Sequence, residues 1–238
     1  MEEWLSRTAL LVGESSIARL RQSHVLVVGV GGVGAYAAEM LVRAGVGAMT
    51  LVDADCVAES NINRQLIALH STVGQAKTDV LARRLLDIAP ALQLHTEQRY
   101  IDPENVDALL DGNFSFVVDA IDTVAPKTAL LLACLRRRIP VVSSMGAGAR
   151  LDPSAVAYGD IADTCYCGLA REVRRRLRAA GIRRGLKVVF STEPPSASAV
   201  LPSSGERNKR STVGTISYLP AVFGCYLAAY VIRKLTEA

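Results

Sequence analysis

The sequence lacks a membrane span, a disulfide framework and any Cys-x-x-Cys pair. Its most apolar stretch, Ile216 to Ile232, falls short of the roughly 20 residues a spanning helix needs and contains Pro220 and Gly224. A buried or partner-facing helix is expected there, and no contact with a membrane. Five cysteines, Cys56, Cys134, Cys165, Cys167 and Cys225, are an odd number without framework spacing, and no secretory signal opens the chain as given. Together these predict a reducing cytoplasm. The one close pair, Cys165-Tyr166-Cys167, supplies two metal ligands at most, too few for a tetrahedral zinc site, and Cys225 reads as core. No internal repeat occurs. The only segment without clear periodicity is Ser191 to Ser211, rich in proline, serine and charge and free of cysteine. It is expected to form a long mobile crossover, of the kind that often serves as a lid.

What is present is enough for a core: 238 residues, 50% hydrophobic, with a formal charge of +4, fit one folding unit. Apolar runs at Val25 to Val28, Met49 to Val52, Phe116 to Val118 and Val141 to Val142 alternate with helical patterns near 33–44, 76–88 and 124–138. The alternation predicts an α/β fold, a Rossmann-like and mostly parallel sheet with flanking helices. After Gly148 the rhythm changes to a strand near 149–157, an arginine-rich helix near 168–180 and a strand at Leu186 to Phe190. This part is expected to continue the same sheet, giving a nucleotide-binding half, about 1–148, and an extension, about 149–238, within a single domain.

Between the first strand and the first helix stands Gly29-x-Gly31-Gly32-x-Gly34. In such a turn the first glycine permits a tight bend, the second lets phosphates approach the backbone, and the third lets helix and strand pack closely. An anion is favoured at the helix N-terminus. Asp53, ending the second strand, is placed to accept hydrogen bonds from a ribose. To this point a dinucleotide oxidoreductase fits equally well. The residues after Asp53 separate the readings, because Arg64 and Lys77 supply more positive charge than a pyrophosphate requires and suit a triphosphate.

The order Gly29, Gly31, Gly32, Gly34, then Asp53 and Asp55, then Ser60-Asn61-x-Asn63-Arg64-Gln65, Lys77 and Asp119-Ala-Ile-Asp122 resembles the ATP-dependent adenylating superfamily of ThiF, MoeB, HesA and the ubiquitin-activating enzymes. The resemblance implies that Asp53 holds the ribose, that Asn61, Asn63, Arg64 and Lys77 line the triphosphate, and that Asp122 binds Mg2+. It also matches Arg7 to an arginine that reaches the γ-phosphate held by a partner subunit, and so implies a homodimer. Attack of a carboxylate on an α-phosphate builds negative charge, which cations and a metal stabilise. Taken singly, Arg64 also fits a surface cation, Lys77 a solvated helix residue and Asp122 a helix cap.

Members that activate sulfur-carrier proteins commonly carry two Cys-x-x-Cys pairs and often a cysteine on the crossover loop, and this chain has neither. Its second half instead resembles the tRNA threonylcarbamoyladenosine dehydratase branch, through Ser144-Met-Gly-Ala-Gly148, Leu151-Asp-Pro153, the stretch Leu169 to Arg178, Val188 to Pro194, Lys209-Arg210 and Gly214 to Pro220. One departure is Cys167-Gly168, where Asp-Pro commonly opens the arginine-rich helix. The branch implies that ATP and Mg2+ activate a carboxylate on a modified adenosine beside the anticodon of tRNA, which then cyclises. It leaves room for a monovalent cation without assigned ligands and for a sulfur-transfer partner acting on Cys165, Cys167 or Cys225. Read without the family, the charge pattern suits a phosphate backbone, and a solvated helix face also fits it. Residues 171–187 carry +7, leaving the remainder near −3, and Leu169, Val173 and Leu177 at i, i+4 and i+8 would turn inward. Arg171, Arg174, Arg175, Arg178, Arg183, Arg184 and Lys187 then form a positive stripe for a phosphate backbone; with few aromatics nearby, backbone contact is expected of it more than base stacking. Two other classes remain at this point: an activator of a small protein's C-terminal carboxylate, and a nucleotide-dependent RNA-binding module without turnover.

Overall fold

The structure is a computed structural model that describes residues 2–202 and 211–237. Two short helices, α1 (Ser6–Val12) and α2 (Glu14–Gln22), precede β1 (His24–Val28). They escape the periodicity reading because α1 is only two turns long and points Leu10 and Leu11 outward, so no clean apolar stripe forms. There follow α3 (Gly34–Arg43), β2 (Ala48–Val52), α4 (Lys77–Ile88), β3 (Gln93–Glu97), α5 (Val106–Leu109), β4 (Phe116–Asp119), α6 (Val124–Arg137) and β5 (Val141–Ser144). The extension contributes β6 (Val156–Asp160), α7 (Gly168–Ala179), β7 (Lys187–Ser191), β8 (Val200–Pro202), β9 (Ser211–Val213) and α8 (Tyr218–Thr236).

Seven strands form one sheet in the order β3-β2-β1-β4-β5-β7-β6, with only β6 antiparallel to its neighbour. β7 pairs directly with β5, so the expected continuation of the sheet is present. β3, Gln-Leu-His-Thr-Glu, has no apolar run, because as an edge strand it pairs only with β2 and stays partly solvated. Alternate residues of the inner strands face opposite layers. Val25, Val27, Met49, Leu51 and Val118 pack under α2, α3, α4 and α8. Leu26, Val28, Val52 and Val117 pack under α5 and α6. Val173 and Leu177 of α7 join Leu131, Val188 and Phe190 on this second face, as their spacing predicts.

Two boundaries and one burial expectation need correction. The strand expected at 149–157 begins only at Val156; the residues before it loop around the buried Arg150 and include Ala149 in the left-handed region, φ 60°. The crossover expected from Ser191 to Ser211 is not irregular throughout, since Ser191 ends β7 and β8 pairs antiparallel with β9. Lys209 and Arg210 lie outside the described residues. α8 packs along α3, burying Leu219, Phe223, Leu227 and Val231, whereas Cys225 faces outward rather than into the core. Among the described residues no helix is long and apolar enough to cross a membrane.

The strand order reverses at β1, which has β2 on one side and β4 on the other. Chains leaving the C-terminal ends of β1 and β4 therefore diverge, and a crevice opens there.

Candidate active site

The glycine turn occupies that crevice. Gly29 has φ 85°, and a Cβ on it would lie 2.8 Å from the Ala120 carbonyl oxygen; a Cβ on Gly34 would lie 1.8 Å from the Gly29 oxygen. Only glycine lets β1 turn into α3 this tightly. Gly34→Ala is expected to lower stability by about 3 kcal/mol and to abolish nucleotide binding, which a thermal melt with and without ATP measures; a wild-type melt with an intact ATP shift would refute the steric role. Gly31 and Gly32 stand between these positions, facing the Gln65 side chain and Pro220 respectively.

Asp53 closes the turn. Its Oδ2 accepts from Val30 N at 2.7 Å and its Oδ1 from Asp55 N at 2.9 Å. Burial pushes its carboxyl above the ordinary range, opposed by the Lys77 charge and these two N–H donors. Each oxygen keeps acceptor capacity for a ribose hydroxyl. Lys77, the first residue of α4, holds its Nζ 2.7 Å from Asp55 Oδ2. It is buried, so it is not the solvated helix residue that spacing alone allowed.

Between Asp53 and Lys77 the chain makes a 3-10 turn at Glu59–Asn61, with Asn61 Oδ1 accepting from Ala58 N. Arg64 Nη1 donates to Ser60 O and Asn63 Oδ1, both at 2.8 Å, and Asn63 Nδ2 donates to Thr215 O at 2.9 Å. This last bond ties the segment to the chain entering α8. Gln65 is buried beside Gly31 while its Oε1 has no hydrogen-bond partner. An orphaned buried acceptor next to a glycine backbone is what a missing polar ligand leaves behind.

Asp122 follows β4 and is exposed, with no hydrogen bond or ion pair to the described residues. It is not a cap, because Thr123 occupies the N-cap of α6. One carboxylate beside a phosphate site fits Mg2+, which takes one or two carboxylates plus substrate phosphates. Among the described residues no group of three or more His, Cys, Asp or Glu could hold a metal by itself. Arg7 lies exposed on α1 and makes no bond within the described chain.

Sequence reasoning missed Lys127. It is fully buried, with Nζ 2.7 Å from Asp119 Oδ2 and 2.9 Å from the Ile121 carbonyl. Asp119 also accepts from Ser143 Oγ at 2.6 Å and from Ile121 N at 3.1 Å. Both ends of residue 121 are thus held, immediately before Asp122. The available signal was a lysine in register with Leu130, Leu131 and Cys134 on the apolar stripe of α6. Cys134 itself is no nucleophile, since burial pushes its thiol up to about 12.

The arginine stripe divides on inspection. Arg171, Arg178 and Arg183 are exposed without partners among the described residues, and Lys187 is half-buried at the start of β7. Arg174 instead donates to the Thr164 carbonyl at 2.7 Å and to the Thr164 hydroxyl. Arg175 and the half-buried Arg176 share Glu172, and Arg184 pairs with Asp163. The two arginines hold the Glu172 carboxyl well below the usual range, at about 2.

A protein-family model described as the ThiF family matches residues 5–238. The tRNA threonylcarbamoyladenosine dehydratase of Escherichia coli (strain K12) is 37% identical, over 98% of this chain and 95% of its own. The enzyme of that name from Bacillus subtilis (strain 168) is 38% identical, over 98% and 94%. The crystal structure of the E. coli dehydratase, TcdA, in complex with ATP matches with a TM-score of 0.89 at 35% identity, covering 98% of this chain and 93% of that one.

Proposed function

The chain belongs to the ThiF family, and from that premise we propose that it is an ATP-dependent tRNA threonylcarbamoyladenosine dehydratase. The observation that carries this is a nucleotide crevice of adenylating type in a chain that matches enzymes of that name over nearly its whole length. The glycine turn and the α3 N-terminus receive the ATP phosphates, Asp53 the ribose, and Gln65 a polar group near Gly31. Arg64 and Lys77 stabilise charge at the α-phosphate as the substrate carboxylate bonds to phosphorus and pyrophosphate departs. Asp122 would hold Mg2+, which neutralises phosphate charge when bound. The ureido oxygen of the same modified adenosine then attacks the activated acyl carbon, the bond to AMP breaks, and one ureido N–H proton is lost. This closes a ring, with net loss of water. Because the attacking oxygen is tethered, no protein nucleophile is required.

Exposed Trp4, Leu10 and Leu11 around Arg7 support a homodimer in which a second copy covers this surface. The free cysteines suit the cytoplasm. An activator of a sulfur-carrier protein has no comparable support, since the relatives matched end to end are the tRNA enzymes.

The deciding assay is pyrophosphate release with tRNA bearing or lacking threonylcarbamoyladenosine. Release is expected only with the modified tRNA, alongside mass-spectrometric appearance of the cyclic nucleoside; equal release with both tRNAs would refute the substrate. Within the stripe, Glu172→Gln is expected to free Arg175 and Arg176, tighten tRNA binding and steepen its log–log salt dependence by about 1. Arg171→Ala or Arg178→Ala is expected to flatten it by a similar amount. Filter binding between 50 and 200 mM salt reads both.

A further inference from the structure

Two exposed tyrosines flank the loop that leaves β5, and neither is among the residues assigned above to the nucleotide. Tyr166 is 59% and Tyr218 42% exposed, with Leu151, at 63%, on the same loop. Tyr166 is anchored through its backbone and Tyr218 through its hydroxyl. Tyr166 holds φ 49°, a left-handed conformation uncommon for an aromatic residue, and its carbonyl accepts from Arg150 Nη2 at 2.5 Å. Arg150 is buried and also donates to the carbonyls of Gly146, Gly148 and Glu193. The hydroxyl of Tyr218 donates to the Leu151 carbonyl at 2.7 Å. The Arg150 side chain therefore holds the Tyr166 backbone and the Leu151 carbonyl holds the Tyr218 hydroxyl, while both tyrosines stay exposed.

The position matters as much as the exposure. The loop from Met145 to Leu151 leaves the same C-terminal sheet edge that carries the glycine turn and Asp122. Tyr166 immediately precedes the N-cap of α7, the helix that presents Arg171 and Arg178. A polyanion lying on that helix and reaching into the crevice must cross this rim. We propose that Tyr166 and Tyr218 form a stacking platform for unpaired bases of the RNA substrate beside the modified adenosine. The proposal rests on the tRNA reading above and adds the contact that holds the anticodon loop open. Single-stranded RNA is held by aromatic faces on which splayed bases stack, and such a platform accepts any base because each has a π-face. The arginine helix supplies backbone charge and the tyrosines supply the base contact that this helix lacks.

The test uses the full-length protein and an anticodon stem-loop carrying 2-aminopurine next to the modified adenosine. Binding to the wild type is expected to quench its fluorescence. Tyr166→Ala is expected to weaken binding about tenfold, in the range for losing one base–aromatic stack, and to remove the quench. Tyr166→Phe and Tyr166→Trp are expected to retain both. The salt dependence of binding stays the same in all of these variants, because the lost contact is not ionic, whereas Arg171→Ala flattens it. Unchanged affinity and quench in Tyr166→Ala, or an equal loss in Tyr166→Phe, would overturn the platform. Wild-type enzyme that binds and quenches but releases no pyrophosphate would refute the dehydratase reading and leave the platform standing.

Discussion

Lys77→Ala is expected to slow adenylation about 10²- to 10³-fold, the range for removing one preorganised donor from a developing oxyanion, while hardly moving the melting temperature. The Lys77 side chain is only 7% exposed, which for a lone cation would imply a structural charge. Its partner Asp55, however, is 66% exposed. Removing Lys77 leaves a carboxylate that water already solvates, so the lost pair behaves as a surface pair and contributes no more than about 1 kcal/mol. The ammonium group opens α4 and its charge also acts on Asp53, the residue proposed to hold the ribose. Single-turnover AMP formation and a thermal melt on the same sample separate the two effects. A fall of many degrees with an unchanged rate would make Lys77 a structural residue.

Much of this site was legible because its parts follow local rules. Gly29 needs a positive φ and Gly34 has no room for a side chain, and such requirements show directly in sequence. β1, β2, β4 and β5 stood out as apolar runs because both faces of the sheet are covered. The parts that stayed hidden depend on pairing. Counting charges gives residues 171–187 a surplus of seven, yet Arg174 is turned onto Thr164, and Glu172 and Asp163 engage Arg175, Arg176 and Arg184. The net charge is as counted, but fewer guanidinium groups remain free for phosphate. α8 is another case: its uniform apolar character suggested a partner or a core, and only the structure shows Pro220 against Gly32 and Asn63 bound to Thr215. The C-terminal helix is thereby part of the nucleotide site's frame.

Lys127→Met should have the opposite profile to Lys77→Ala. Lys127 and Asp119 are both wholly buried, so removing the cation strands a carboxylate where water cannot reach it. Breaking such a pair typically costs about 3–5 kcal/mol. For a chain of this size, each kcal/mol corresponds to roughly 2–4 °C, so a fall of roughly 10 °C or more is expected. The remaining contacts of Asp119, from Ser143 Oγ and Ile121 N, do not remove its charge. Adding Asp119→Asn to Lys127→Met should therefore recover most of the loss, because an amide oxygen can still accept from Ile121 N while its NH2 donates to Ser143 Oγ. Asp119→Asn alone should be harmful, since it leaves Lys127 as the unpaired charge. Three melts and the wild type make a double-mutant cycle, and additive losses in the double variant would refute the pairing argument. The recovered fold need not recover activity. Lys127 also holds the Ile121 carbonyl, and without that bond the peptide leading to Asp122 is fixed at one end only. The double variant is expected to melt near the wild type yet require more Mg2+ for half-maximal pyrophosphate release, which would distinguish the buried pair's part in stability from its part in positioning Asp122.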